Sequence, residues 1–480
     1  MLVLARLLTP SDFGLIAMVT TFSLMLSSFG LAGFTEAVIQ AEEMSHARAS
    51  TLFWVNLTGG LFVAGTFAAA GRLLAKLYGQ AQITAVCVGF AIAILLSVAP
   101  VLHLSLLKRA TRFDCTAIID IAGRIAYVGI AVASAWHGWG YWSLVFAAIA
   151  QGLMVCIGSA LFCTWLPGLP RRGVQAGASV RYAFHVYGRY SLNYLTGNTD
   201  NFLVGWRFGT SALGFYKKAF DLFVLPSTQL MSPILAVVVG SLSRLSSDHE
   251  EFRRFFYKGL GVVALLGMGA GAGMMLVGGD LVLIFLGSQW TEAGRIFTYF
   301  GPGIGLMLVY QTAGWIHLSL GTTARWFRWT IFEIVTTVSL VLIGMHWGLT
   351  GVASAWTASF IVLIVPTFNY AGRSIGICGL DVLRLLWKCA LAAALAMLGC
   401  WALLSHLVLP LLGLDEDLTG ALIRVGMTMS VFVIVYALAI VLIYRSTEPI
   451  RLMLRLLSRF IPSQLRAITA SKLSARLGTL

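Results

Sequence analysis

The chain has 480 residues, 59% of them hydrophobic and only 11% charged, with a mean hydropathy of +0.87 and a net charge of +14. Soluble proteins carry about 25% charged residues, so a soluble globular fold is excluded. Fifty glycines against eleven prolines, without a triplet period, exclude collagen and linker readings and fit transmembrane helices that pack through small residues.

The charge is not that of a nucleic-acid binder, because the basic residues lie between apolar runs and no basic, aromatic-interleaved domain could hold a strand. The seven cysteines include no CxxC pair and mostly sit inside apolar runs, where a thiol packs as a small hydrophobe.

In chain order, apolar runs separated by charged or Gly/Pro breaks predict thirteen spans, at 14–37, 49–70, 82–106, 116–136, 139–165, 180–205, 211–240, 256–277, 293–320, 326–345, 349–371, 386–410 and 419–444. The opening MLVLARLL is too short to span and reads as the end of a helix. Counted over alternate connections, 23 Lys and Arg fall on one side and six on the other. The positive-inside rule makes the richer side cytoplasmic, which puts the C-terminal tail inside and Met1 outside. One further N-terminal helix in the complete protein reconciles that start with the absence of a signal peptide.

The chain repeats itself. His103-Leu104-Ser105-Leu106 returns as His317-Leu318-Ser319-Leu320, 214 residues later. Each copy is followed by a basic turn (Lys108, Arg109 and Arg112; Arg325 and Arg328), an acid in the next helix (Asp120; Glu333), and a Trp/His/Gly break. Arg6-Leu7-Leu8-Thr9…Gly14 is echoed by Arg207-Phe208-Gly209-Thr210…Gly214. The expected fold is therefore an all-α polytopic membrane protein with two homologous six-helix lobes in parallel topology around a central cavity, plus a C-terminal helix pair. The lobes are 1–165 and 181–372, joined by a cytoplasmic linker at 166–180. The extra pair is 373–445, and 446–480 is a cytoplasmic tail. In that tail Arg451, Arg455 and Arg459, with apolar residues between them, predict an amphipathic basic helix on the anionic membrane surface.

Leu4-Ala5-Arg6-Leu7-Leu8-Thr9-Pro10-Ser11-Asp12-Phe13-Gly14 resembles the signature turn after the first helix of the polysaccharide-transporter family, the Wzx-like flippases of the multidrug/oligosaccharidyl-lipid/polysaccharide superfamily. The match continues through Gly30…Ala37-Val38-Ile39-Gln40, Thr51-Leu52-Phe53-Trp54…Asn56, Asp200-Asn201-Phe202-Leu203-Val204-Gly205 and Ala212-Leu213-Gly214-Phe215-Tyr216…Ala219…Pro226 to Ser243-Arg244-Leu245. The resemblance implies fourteen helices in the superfamily's flippase fold, and movement of undecaprenyl-pyrophosphate-linked oligosaccharide across the bacterial inner membrane. It implies no cofactor. Two departures stand out: the family's first helix is largely missing, and Trp206 stands after Gly205 where the family often has a basic residue.

No catalytic or metal-binding motif is present, and Gly269-Ala270-Gly271-Ala272-Gly273, in an apolar run with no following lysine, reads as close helix packing. Ionisable residues within spans each need a reason, since one at the bilayer centre costs at least about 2.5–3.5 kcal/mol unless it meets a partner or water. Arg124 and Arg189 are candidates for cargo binding, with Tyr187, Tyr190, Asn193, Tyr194 and Asn198 beside Arg189 forming the most polar span. Arginine meets phosphate in a bidentate fork, while tyrosines and amides stack on and hydrogen-bond sugars. Asp120, four residues before Arg124, either neutralises it as a structural pair or lines the cavity with it. Asp200, Arg207, Lys217, Lys218 and Asp221 read as an interfacial cluster closing the outer gate. Glu36 and Glu333 are intramembrane carboxylates suited to proton coupling, with snorkelling at the helix end the alternative reading for Glu36. His103 and His317 read as packing residues.

The expected function is alternating-access flipping of a lipid-linked oligosaccharide for polysaccharide biosynthesis. Expected partners are membrane lipids, a coupling proton or sodium ion, and polymerase and other assembly proteins. A cation-coupled multidrug exporter of the same superfamily is the alternative within the class. A membrane polymerase or ligase is the alternative outside it, and the short outer connections speak against it.

Overall fold

The computed structural model describes residues 2–41, 43–169, 180, 187, 191, 194, 197–404, 417–446, 448 and 451. The described residues form helices and short connections, with no strand among them. Two compact units emerge. The first comprises Met1–Lys218 with Phe285–Glu292, and the second Ala219–Ile284 with Ala293–Leu480. Among the described residues, nine helices are long and apolar enough to cross a membrane.

In the first unit, α1 (Leu2–Leu7) leads into α2 (Pro10–Gln40). The start of α2 is encoded locally. Thr9 accepts from the Asp12 amide at 3.2 Å, and the Asp12 carboxylate accepts from the Thr9 amide at 3.0 Å, a capping box that satisfies two of the helix's orphan donors. Pro10 occupies the first turn, where no amide is needed. Then come α3 (His46–Tyr78), α4 (Gln82–Val98), α5 (Val101–Arg109), α6 (Phe113–Trp136) and α7 (Trp142–Phe162).

The run expected as one span at 82–106 is broken at Ala99–Pro100, and the break follows from Pro100, which has no amide to donate to the Leu96 carbonyl. The Cys156 thiol donates to that carbonyl instead, at 3.1 Å, and the buried Asn56 amide donates to Val98 O at 2.9 Å. The second half of the sequence has the matching break, between α10 (Thr291–Gln311) and α11 (Ala313–Ser319), a few residues before the second His-Leu-Ser-Leu.

The 46-residue α8 (Thr199–Arg244) is interrupted at Gly209, whose φ of 84° lies in the left-handed region that glycine adopts without strain. The second unit takes α8 from Ala219 and continues through α9 (His249–Leu286), α10, α11, α12 (Thr323–Gly344), α13 (Gly348–Ala371), α14 (Gly379–Leu403) and α15 (Leu418–Tyr444).

The glycines around Gly269–Gly273 pack helices, on two faces. Gly267 and Gly271 approach the backbone of Gly305 and Gly301 on α10, while Gly269 and Gly273 lie under Tyr436 and Phe432 of α15. The Tyr436 hydroxyl donates to Leu265 O at 2.7 Å. Helix α14 starts at Gly379, earlier than the apolar run at 386, because its first three turns alternate apolar residues with Asp381, Arg384 and Lys388.

Half of the span expected at 180–205 and all of the basic tail beyond Arg451 lie outside the described residues.

Candidate functional site

The signature turn builds a compact knot in the first unit. Asp12 holds two elements at once. Its Oδ2 accepts from the Thr9 amide and hydroxyl, and its Oδ1 accepts from the Tyr141 amide at 3.0 Å, tying the α6–α7 turn to the start of α2. One turn later, α2 crosses α8 through glycines. A methyl at Gly14 would stand 1.7 Å from the Thr210 carbonyl oxygen, and one at Gly214 would stand 1.9 Å from that of Pro10. The Ser11 and Thr210 hydroxyls are hydrogen-bonded at 2.9 Å. Lys218, nearly buried, places its ammonium 4.0 Å from the centre of the Phe13 ring.

The polar residues of the middle of the chain divide into groups. Asp200 is buried and accepts from the Tyr216 hydroxyl at 2.6 Å. The Asn201 amide donates to Asn198 Oδ1, the Asn198 amide to Tyr194 O, and the Tyr194 hydroxyl to Thr20 O on α2. Tyr187 packs against the apolar cluster of Phe34, Val38, Leu52, Val101 and Leu102. Arg207 is exposed and lies over the Phe208 ring, Lys217 is half-buried, and Asp221 is exposed where α8 enters the second unit. Arg189, Tyr190 and Asn193 lie outside the described residues.

Asp120 and Arg124 stand on α6, both exposed, and no ion pair joins them. Arg124 is the twelfth of the helix's 24 residues, about 18 Å along the axis from either end. Ile121, Ile125 and Val128 around it are exposed too.

Glu36 is exposed near the end of α2. Glu333, half-buried on α12, lies beside the Tyr310 hydroxyl, which accepts from Trp329 Nε1 at 3.4 Å. Trp329 in turn stacks on Tyr370 at 5.0 Å. Along this α12 face Arg325 lies over the Tyr370 ring and donates to Tyr370 O at 2.7 Å, and His317 stacks on Trp326.

The basic turns of the repeat are helix caps. Arg112 donates to Phe162 O at the end of α7, as Arg325 does at the end of α13. Arg109 donates to Val38 O and Ala41 O at the end of α2. Each guanidinium meets orphan carbonyls and the negative end of a helix dipole.

Sequence reasoning passed over Asp12, Tyr216, Tyr310 and Trp329 as site residues. For Asp12 the signal was present, an acid three residues after a threonine at a helix start. The other three carry no local signal, since their partners are 16 to 41 residues away in the helical packing.

These helices form the fold shared by flippases and exporters of the multidrug/oligosaccharidyl-lipid/polysaccharide superfamily. The fold resembles the structure of the lipid II flippase MurJ in an inward closed conformation, with a TM-score of 0.70 at 13% identity over 91% of this chain and 95% of that one. It also resembles an inward-facing multidrug resistance MATE family transporter, with a TM-score of 0.62 at 12% identity over 80% and 94%.

The model of the family described as "Polysaccharide biosynthesis protein" matches residues 3–295, and the chain belongs to that family. Among its relatives are the succinoglycan biosynthesis transport protein ExoT of Rhizobium meliloti (strain 1021), 24% identical over 77% of this chain and 74% of that protein, and the lipopolysaccharide biosynthesis protein WzxC of Escherichia coli (strain K12), 25% identical over 61% and 60%. The protein is a multi-pass membrane protein.

Proposed function

We propose that the protein flips undecaprenyl-pyrophosphate-linked oligosaccharide repeat units across the bacterial inner membrane for polysaccharide assembly. The lobes 1–165 and 181–372 alternate access, with the prenyl tail left in lipid. The helix pair 373–445 and the basic tail 446–480 flank this machinery on the membrane.

The observation that carries this reading is Arg124. A permanently charged guanidinium at the midpoint of a spanning helix, exposed and without an ion partner among the described residues, requires an aqueous passage or an anionic cargo in front of it. Arginine suits a pyrophosphate because its fixed fork meets two oxygens at once. Arg189 serves the same head group, Tyr187, Tyr190, Asn193, Tyr194 and Asn198 meet the glycan, and proton or sodium movement through Glu36 and Glu333 drives the cycle. Polysaccharide polymerase and other assembly proteins receive the product.

The test is complementation of a strain lacking its own flippase, with membrane abundance measured in parallel. Arg124→Ala abolishes rescue at normal abundance, Arg124→Lys rescues in part, and Asp120→Ala leaves abundance unchanged. Full rescue by Arg124→Ala removes the cargo-binding role.

A further inference from the structure

The connection between α9 and α10 belongs to the first unit although both helices belong to the second. The chain leaves the second unit at Ile284, contributes Phe285–Glu292 to the first, and returns at Ala293. Within those eight residues, Ser288–Trp290 form one 3-10 turn, preceded by Gly287 with a φ of 98°. Trp290 is fully buried.

The partners of this turn all lie at the signature motif or its echo. Trp290 Nε1 donates to Ala5 O at 2.7 Å, and Gln289 Nε2 donates to Ala5 O at 2.6 Å and Leu8 O at 3.2 Å. Ala5 O belongs to the last turn of α1, a helix of six residues whose last acceptors have no helical donors, and Leu8 O follows directly after it. The Trp290 ring meets Phe13 edge-on at 5.5 Å and Phe215 at 6.0 Å, so one side chain touches α1, the start of α2 and the segment after Gly214.

We infer that the Ser288–Trp290 turn is a releasable latch on the Thr9 turn. It is attached by a small number of directional contacts concentrated in two adjacent side chains, and it is carried on a connection whose flanking helices belong to the other unit. Any rearrangement of α9 and α10 therefore pulls on the Thr9 turn, and freeing Trp290 exposes the carbonyls of α1 and loosens the Gly14–Gly214 crossing in the same event. Its place in a transport cycle rests on the flippase reading, but the latch itself does not.

The experiment is hydrogen exchange on the purified full chain in lipid nanodiscs, following peptides that cover residues 2–14. Trp290→Phe keeps the ring contacts and removes the indole donor, and Gln289→Ala removes an exposed side chain. Each variant accelerates exchange in 2–14 about five-fold, the factor that one net hydrogen bond is worth, and the double variant accelerates it further. Peptides from α14 and α15 keep their wild-type rates. Unchanged exchange in 2–14, or equal acceleration throughout the chain, overturns the latch, the second because the residues then only stabilise the fold.

A separate arm addresses the transport reading. The pair Ser11→Cys with Thr210→Cys, whose native hydroxyls touch, forms a disulfide that blocks complementation until reductant is added. A latch seen by exchange together with a disulfide that leaves complementation intact keeps the latch and removes the alternating-access role.

Discussion

Gly14 and Gly214 cross with no room for a side chain on either, each facing the carbonyl oxygen of the residue four positions before the other. Pro10 and Thr210 are 200 residues apart, as are Gly14 and Gly214. The contact is thus reciprocal, with a local two-fold character, and relates the first helix start of one half of the sequence to that of the other. Two backbones this close gain dispersion and weak Cα–H···O contacts that any larger residue removes.

A methyl at either glycine therefore has to push the helices apart. Gly14→Ala and Gly214→Ala each lower stability by about 1–3 kcal/mol, the range for overpacking a close contact. Because one displacement relieves both clashes, the double variant costs clearly less than the sum of the singles. Thermal unfolding in detergent, followed by tryptophan fluorescence, measures both effects. Additive losses refute the shared crossing.

Much of this was legible beforehand, and the reason differs from element to element. The spans follow from apolar runs, and the capping box at Thr9 and Asp12 from residues three apart, because both are local. The repeat was visible through His103 and His317 and through the Arg6 and Arg207 segments, though in contact Thr210 corresponds to Pro10 rather than to Thr9. Repetition alone does not say that two copies touch, so the glycine crossing stayed hidden. Gln289 and Trp290 were hidden more completely, since their partners at Ala5 and Leu8 are more than 280 residues away. Pro100 offered a break in plain view, but an otherwise unbroken apolar run masked it. Arg424, a charge inside the apolar run at 419–444, sits in the second turn of α15 paired with Asp280, a partner 144 residues away.

Asn56 is fully buried and donates to Val98 O beside Pro100. Asn56→Leu leaves that carbonyl without its donor and lowers stability by about 1–3 kcal/mol, whereas Cys156→Ala, which removes a weaker sulfur donor, costs less. The same unfolding measurement ranks the two. A larger loss for Cys156→Ala refutes this account of the kink.

Arg424 and Asp280 form a bidentate pair between α15 and α9, with Nη2 of the arginine 2.8 Å from Asp280 Oδ1 and Nε 3.3 Å from Oδ2. Both side chains are largely shielded, at 17% and 26% exposure, so removing one takes from the other its bidentate counter-charge. Arg424→Ala or Asp280→Ala costs about 3 kcal/mol, and the double variant costs less than either single change. A double-mutant cycle with no coupling energy refutes the pair as a link between these helices.

Glu333 on α12 is a carboxylate proposed above to carry the coupling proton. The carboxylate lies beside the Tyr310 hydroxyl, which already accepts from Trp329 Nε1 and so is free to donate its own proton to the carboxylate. Protonating Glu333 turns one acceptor oxygen into a donor and removes the charge from that bond, changing a contact between α12 and α10, whereas an aromatic or aliphatic residue at the position would respond to nothing. Glu333→Gln fixes the neutral form. In proteoliposomes with an imposed pH gradient, this variant flips cargo at a rate that no longer depends on the gradient, Glu333→Asp keeps part of the dependence, and Tyr310→Phe weakens it without removing it. Retained gradient dependence in Glu333→Gln assigns coupling to another carboxylate, with Glu36 next in line, and leaves Glu333 as a packing partner of Tyr310.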